Sequence, residues 1–278
     1  MLVGTRSSKL ALYQAQMFLD RLPTKNNRMV RVSSHGDENT EKSLKEIGGT
    51  GLFVKKLNDL ILKGDIHCAV HSAKDMPGDM DPDLEVQAVF DWQNYHDVVV
   101  IREGQQITKE MKVGTSSPRR EKQISRIYPQ WHIENVRGNI DTRLQKLDQG
   151  MFDGIILSEA GLKRLYPDRN FMILDETTCV PAANQGIIAV VSMRGGSYRE
   201  EIRAADDPVA RKRFTMERKV SDILDFGCSS PNGIFYNPLN GILFLDINTG
   251  DSELRLAKKI TSEADAIPLA KKVREMVN

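Results

Sequence analysis

Three short segments join hydroxyl side chains to arginine where a helix should begin: Thr5-Arg6-Ser7-Ser8, Gly114-Thr115-Ser116-Ser117-Pro118-Arg119-Arg120 and Arg137-Gly138-Asn139. A helix N-terminus offers unpaired N–H groups and the positive end of the helix dipole. Ser and Thr add donors, and Arg adds a planar fork that matches carboxylate or phosphate. One such turn alone is explained by Ser8 or Ser117 capping a helix beside a solvated arginine. Three in one chain point to an anion site in a cleft. Local charge agrees, because residues 1–33 hold six Lys and Arg against one acid, and residues 113–146 hold seven against three. The whole chain balances 39 basic against 38 acidic residues, so no global basicity marks it as a nucleic-acid binder.

Other chemistries find less support. His67 and His71 lie four apart beside Cys68 and Asp75, but no second ligand cluster exists in the sequence, so no metal is expected. Ser72 adjoins His71 without the G-x-S-x-G elbow, and Gly48-Gly49-Thr50-Gly51 fits neither phosphate-loop pattern. The three cysteines, Cys68, Cys179 and Cys228, are odd in number and far apart, which excludes a disulfide framework or a paired metal knuckle. Trp92 and Trp131 read as packing residues, and the scattered methionines as core filler.

The elements that must position these turns follow an α/β order. Ala11, Ala15, Phe18 and Leu22 share one face of a helix that starts at Ser8 and should stop at Pro23. A second helix carries Phe53, Leu57 and Leu60, and further helices follow Pro118 and Gly138. Strands are expected at residues 30–33, 66–70, 98–101, 133–136, 155–157 and 187–191. Residues 79–97 hold six acids and no Lys or Arg, and read as an exposed approach to a domain boundary near 92–97. Beyond about Asp206 the pattern becomes a helix over 209–223, a polar loop over 227–233, a hairpin and a terminal helix with Leu269, Val273 and Met276 inward. The 278 residues suffice for two to three domains, and no apolar run approaches the roughly 20 residues of a membrane span. The first residues lack the pattern of a secretory signal, so a cytoplasmic protein is expected.

Taken in order, the motifs resemble the porphobilinogen deaminase (hydroxymethylbilane synthase) family. The resemblance runs from Val3 to about Gly233. It rests on Thr5-Arg6-x-Ser8-x-Leu10-Ala11, Gly51-Leu52-Phe53-Val54-Lys55 and His71-Ser72-Ala73-Lys74-Asp75-Met76-Pro77. It continues through Gly114-Thr115-Ser116-Ser117-x-Arg119-Arg120, Arg137-Gly138-Asn139 with Thr142-Arg143-Leu144, and Ala160-Gly161-Leu162-Lys163-Arg164. It ends with Pro181-Ala182-x-x-Gln185-Gly186 and Gly227-Cys228-x-x-Pro231-x-Gly233.

The resemblance implies an α/β fold of two periplasmic-binding-protein-like domains with a cleft between them, plus a small α+β C-terminal domain. Domain 1 would take residues 1–92 and 185–205, domain 2 residues 96–182, and domain 3 residues 208–278. The implied activity joins porphobilinogen units head to tail, with loss of ammonia, into a linear tetrapyrrole, carried out by a monomer. The implied cofactor is a dipyrromethane held by a thioether to Cys228. Asp75 matches the catalytic aspartate. Cofactor contacts fall on Lys74, Ser72, Thr115, Ser116, Ser117, Arg119, Arg120, Arg137 and Gly138, and substrate contacts on Arg6, Ser8, Phe53, Arg143, Arg164 and Gln185. Thr50 stands where many family members carry Lys, and Phe226 where they carry glycine. The competing class is a non-catalytic two-domain anion-binding protein, against which the Cys228 motif counts.

Overall fold

The computed structural model describes residues 1–32, 51–225, 230–250 and 252–277. The chain divides into two compact units, residues 1–93 with 187–214, and residues 94–186 with 215–278.

The first unit is built on a sheet of order β2-β1-β3-β10-β4, formed by β1 (Leu2–Arg6), β2 (Arg28–Val32), β3 (Cys68–Ser72), β4 (Leu84–Phe90) and β10 (Ile188–Met193). β1 runs parallel to β2 and β3, whereas β10 runs antiparallel to both β3 and β4. Successive strand residues face opposite sides, so a sheet covered on both faces needs continuous apolar strands. β10 supplies one: Ala189 and Val191 join one core cluster, Ile188 and Val190 the other. Helix α1 (Lys9–Arg21) covers the second face with Ala15 and Phe18, and α2 (Gly51–Leu62) covers the first with Leu57 and Ile61. Phe18 is fully buried, which stabilises the helix against the sheet by roughly 1.5–3 kcal/mol. Ser8 caps α1 as expected, and the helix ends at Arg21, just before Pro23.

The acid-rich segment departs from its expected exposure. Leu84, Ala88, Val89 and Phe90 of β4 are buried, and so is Asp97. Asp79, Asp81 and Asp83 before β4 are exposed as expected, whereas Asp97 is paired with arginines remote in sequence.

The second unit contains a sheet of order β7-β6-β8-β5-β9, formed by β5 (Asp97–Ile101), β6 (Lys112–Gly114), β7 (His132–Glu134), β8 (Gly154–Ser158) and β9 (Met172–Leu174). β6 is parallel to β7 and β8, and β5 is antiparallel to β8 and β9. Its topology therefore repeats that of the first unit: parallel strands in the order second, first, third, then an antiparallel strand and an edge strand. Helices α3 (Pro118–Ile127), α4 (Ile140–Asp148) and α5 (Glu159–Leu165) follow β6, β7 and β8. Val98 and Val100 pack toward Leu144, Leu147 and Leu162, while Val99 packs toward Ile124 and Trp131.

The same unit holds an antiparallel sheet of β11 (Gly233–Asn237), β12 (Ile242–Asn248) and β13 (Glu253–Lys259). After α6 (Arg199–Arg203), the long helix α7 (Pro208–Leu224) divides its contacts, with Ala210 and Phe214 in the first unit's core and Met216, Val220 and Leu224 against the antiparallel sheet. The terminal helix α8 (Glu263–Val277) packs there through Ala266, Ala270, Val273 and Val277. Met276, expected inward, is 59% exposed. It lies one residue off that stripe, and Val277 takes the inward place.

Candidate active site

Parallel strands deliver their carboxyl ends to one edge of a sheet, where loops and helix N-termini gather ligands. In the first unit Gly4 lies opposite Ala69, so Arg6 at the end of β1 comes level with His71. The chain then turns through Ser8, whose Oγ accepts a hydrogen bond from the Ala11 N–H at 3.4 Å. From β3 it enters a short 3-10 turn, Ala73–Asp75, closed by the Met76 N–H donating to the Ala73 carbonyl. The Ala73 N–H also donates to the Ile187 carbonyl at 3.0 Å, which ties the turn to the chain entering β10. Ser72, Lys74 and Asp75 are half-buried at this edge. Arg6 joins them and stacks on the ring of Phe53, with 4.0 Å between the guanidinium carbon and the ring centroid.

Two polar residues are buried behind this edge, of which Gln14 escaped sequence reasoning. Gln14 is buried, donates from Nε2 to Ser72 Oγ at 2.9 Å and accepts from that hydroxyl at 3.2 Å. A glutamine on the apolar stripe between Ala11 and Phe18 was the available signal, because a polar group there must find a partner. His71 is buried and its Nε2 has no hydrogen-bond partner. Burial, and then the positive charge of Arg6, pull its pKa down to about 4.

In the second unit the loops after β6 and β7 lie side by side. Ser117 caps α3 by accepting from the Arg120 N–H at 3.5 Å, Pro118 opens the helix, and buried Thr115 accepts from the Ser117 N–H at 3.2 Å. After β7 the chain bends at Gly138, with φ of 111°, where a Cβ would meet the Thr142 side chain at 2.7 Å. Arg143 bridges the two loops, donating from Nε to the Gly138 carbonyl at 2.8 Å and from Nη2 to Ser116 Oγ at 3.0 Å. Burial, and then the charge of Arg120, pull the Arg143 guanidinium down to about 10. A cation so placed gains from any anion brought beside it. Arg137 is exposed at the same edge.

Arg119 and Arg120 lie deeper, 3% and 6% exposed, and share the buried carboxylate of Asp97. Arg119 Nη1 donates to Asp97 Oδ2 at 2.6 Å and to the Val180 carbonyl at 2.8 Å. Arg120 donates from Nε to Asp97 Oδ1 at 2.8 Å and from Nη1 to the Ile156 carbonyl at 3.0 Å. Gln185 adds a bond from Nε2 to Asp97 Oδ1 at 2.9 Å and another to the Tyr95 carbonyl at 2.9 Å. Arg164 donates to the carbonyl of Gly186, whose φ of 93° and missing Cβ permit the close approach of Asn94. Two guanidinium groups against one carboxylate leave the buried cluster one positive charge in excess, before Arg143 is counted.

The structure thus gathers Arg6, Ser8, Phe53, Ser72, Lys74 and Asp75 in one unit, and Thr115, Ser116, Ser117, Arg119, Arg120, Arg137, Gly138, Arg143, Arg164 and Gln185 in the other. Cys228, Thr50 and Phe226 lie outside the described residues. Among the described residues no cluster of His, Cys, Asp or Glu could hold a metal ion, and no helix is long and apolar enough to cross a membrane.

Fold and loops together define an α/β protein in which hydroxyl and guanidinium side chains gather at strand ends and helix N-termini. The chain belongs to the porphobilinogen deaminase family: the family model described as "Porphobilinogen deaminase, dipyromethane cofactor binding domain" matches residues 1–200. It is 41% identical over 236 residues, 84% of each chain, to the probable porphobilinogen deaminase of Picrophilus torridus. It is 38% identical over 269 residues to the porphobilinogen deaminase of Acetivibrio thermocellus, covering 90% of this chain and 91% of that one. Among solved structures, an ABC transporter from Parabacteroides distasonis is similar at a TM-score of 0.45 and 13% identity, covering 81% of this chain and 78% of that one.

Proposed function

We propose that the chain condenses four porphobilinogen molecules head to tail, with release of ammonia at each step, to give the linear tetrapyrrole hydroxymethylbilane. The observation that carries this reading is that Arg6, Ser72, Lys74 and Asp75 close the carboxyl ends of two neighbouring parallel strands, inside the span matched by the family model. We further propose a cytoplasmic monomer, with the three sheets marking the three domains 1–92 with 185–205, 96–182 and 208–278.

The donor set suits a polycarboxylate cofactor, because the buried cluster around Asp97 carries surplus positive charge and Arg143 is held in an electropositive setting. A dipyrromethane joined by a thioether to Cys228 supplies the free pyrrole carbon on which the product is built. Burial pushes the thiols of Cys68 and Cys179 up, that of Cys179 to about 12, so both stay protonated and inert, which supports Cys228 as the attachment point.

Acetate and propionate groups of the cofactor are held by Lys74, Ser72, Thr115, Ser116, Ser117, Arg119, Arg120, Arg137 and the Gly138 turn. Arg6, Ser8, Phe53, Arg143, Arg164 and Gln185 receive the incoming pyrrole and the elongating product. Each charge-assisted hydrogen bond contributes about 1.5–3 kcal/mol, so several together retain an intermediate through repeated cycles. In each cycle the C–N bond of the substrate's protonated aminomethyl group breaks, its electron pair leaves with ammonia, and positive charge spreads onto the substrate's pyrrole nitrogen. The Asp75 carboxylate accepts a hydrogen bond from that N–H and stabilises the charge as it develops. Once the new C–C bond has formed, Asp75 takes up the proton released from the attacked carbon and passes it to ammonia, which departs as ammonium and leaves the carboxylate ready for the next cycle.

Intact mass of the purified protein, together with ammonia release from porphobilinogen, tests the reading. The expected mass exceeds the sequence mass by two linked pyrrole units, and Cys228→Ser removes both the excess and the turnover. Turnover by a protein of unmodified mass would refute the covalent cofactor. Porphobilinogen binding without ammonia release would mark a non-catalytic anion-binding protein.

A further inference from the structure

Asp97 heads β5, where it pairs with Ser158 of β8 and Leu174 of β9, and its side chain is wholly buried. Such a carboxylate is costly unless its lone pairs are filled. Here Oδ2 accepts from Arg119 Nη1 at 2.6 Å and lies 3.4 Å from the Cys179 thiol. Oδ1 accepts from Arg120 Nε at 2.8 Å and Gln185 Nε2 at 2.9 Å, with Arg120 Nη2 also 2.8 Å away. Burial alone would push this carboxyl up. The charges of Arg119 and Arg120, and the hydrogen bonds from Arg119 and Gln185, outweigh burial and hold it far below the usual carboxylate range.

The consequence lies in where the guanidinium groups are fixed. Both are anchored from behind by one carboxylate and by backbone carbonyls, that of Val180 for Arg119 and that of Ile156 in β8 for Arg120. An arginine held this way is planar, oriented and already desolvated, so a ligand carboxylate meets a preorganised donor and need not immobilise a flexible side chain. The ratio of two cations to one anion matters equally. With a second carboxylate the site would be neutral and would not favour an anion, and with none it would bury two unpaired cations. Arg143, pulled down to about 10, adjoins this surplus through Arg120.

We propose that Asp97 is a positioning residue that sets the geometry and net charge of the Arg119–Arg120 pair, and so determines how well the second unit retains the carboxylates of the cofactor and elongating product. It acts through the arginines and touches no ligand itself. The inference rests on the function proposed above.

The test uses Asp97→Asn and Asp97→Glu in the full chain, each with circular dichroism and melting temperature recorded. Asn keeps the shape but removes the charge and turns an NH2 toward guanidinium donors, whereas Glu keeps the charge but moves it by one methylene. Asp97→Asn is expected to lower the cofactor-loaded fraction, read by intact mass, at least tenfold. Asp97→Glu is expected to load but to raise KM for porphobilinogen at least fivefold, with kcat within about threefold of the parent. If Asp97→Asn does not fold, the KM of Asp97→Glu decides alone. A folded variant of either kind with parental loading and parental KM overturns the proposal, as does a fall in melting temperature with no change in either. Phenylglyoxal labelling of Arg119 and Arg120, read by peptide mapping, needs no cofactor and separates the two claims. Faster labelling in the variants of a chain that never carried cofactor would support the positioning role while the functional reading fails. Unchanged labelling would overturn the positioning role on its own.

Discussion

The guanidinium of Arg6 lies over the ring of Phe53 with 4.0 Å between its central carbon and the ring centroid, and Phe53 is 6% exposed. The stack orients an arginine at the end of β1 by means of a residue on α2. Phe53→Leu keeps most of the buried apolar volume and removes the quadrupole that Arg6 rests on. A contact of this type contributes about 0.5–2 kcal/mol. The expected result is a rise in KM for porphobilinogen of roughly three- to tenfold with a small change in melting temperature. An unchanged KM would show that Arg6 is held by its other neighbours.

Asp75 follows Lys74 in a 3-10 turn tied by the Ala73 N–H to the Ile187 carbonyl. Its backbone placement therefore does not depend on its own side chain. Asp75→Ala is expected to abolish nearly all porphobilinogen consumption and leave the circular dichroism spectrum intact, and Asp75→Glu to retain more activity than Asp75→Asn. Near-parental turnover in Asp75→Asn would show that the charge is not required.

Two histidines, one buried and one half-buried, bound the pH range of stability from opposite sides. His71 is pulled down to about 4 by burial and by Arg6, so the folded state favours its neutral form. Its contribution is complete above the ordinary histidine value near 6.5 and is lost as pH falls toward 4. Burial would lower His96 too, but hydrogen bonds to Glu159 and Glu176 and their charges raise it to about 9. Its contribution is complete below about 6.5 and is lost as pH rises through about 9. Melting temperature should therefore fall on both flanks. His96→Gln should flatten the alkaline flank only, and His71→Phe, if it folds, the acid flank only. Parallel pH profiles for His96→Gln and the parent would contradict the assignment.

The arginines should fail at different stages. Arg119→Ala or Arg120→Ala leaves Asp97 short of a partner and is expected to yield protein without cofactor. Arg143→Ala removes only the bridge from Ser116 to the Gly138 carbonyl. It should load the cofactor and stall during elongation, since losing one charge-assisted bond of about 2 kcal/mol slows the affected stage roughly thirtyfold. Native mass spectrometry after limited substrate resolves the ladder of added pyrroles. Identical ladders for every arginine variant would reduce the cluster to a general electrostatic attractor.

Much of this arrangement was legible in the chain. The caps at Ser8 and Ser117, and the apolar runs that became β3, β5, β8 and β10, are local properties, and local properties survive folding. The carboxylate that organises Arg119 and Arg120 was not legible. Asp97 closes an acid-rich stretch, and only tertiary contact with residues 22 and 23 positions further on reveals it as the buried member of an ion cluster. β4 was hidden by the same acidic composition. The repeated strand order of the two sheets leaves no trace as a sequence repeat, because topology constrains which strands pair and says little about which apolar residues fill them.

The position of β10 between β3 and β4 bears on the order in which the molecule is assembled. During synthesis β4 emerges with its neighbour in the sheet, residues 188–193, still to be made, whereas the five-stranded sheet of the second unit is complete by Leu174. Pairing Ser72 with Ile188 also closes one of the long loops that slow folding. Of the two five-stranded sheets, the one encoded first should thus be finished second. Pulsed hydrogen exchange during refolding of the full chain should show protection of amides in β5 and β8 before those in β3 and β4. The nascent chain then carries the unpaired strand Leu84–Phe90 until residues 188–193 have been made, and that strand is where premature association with other chains would begin.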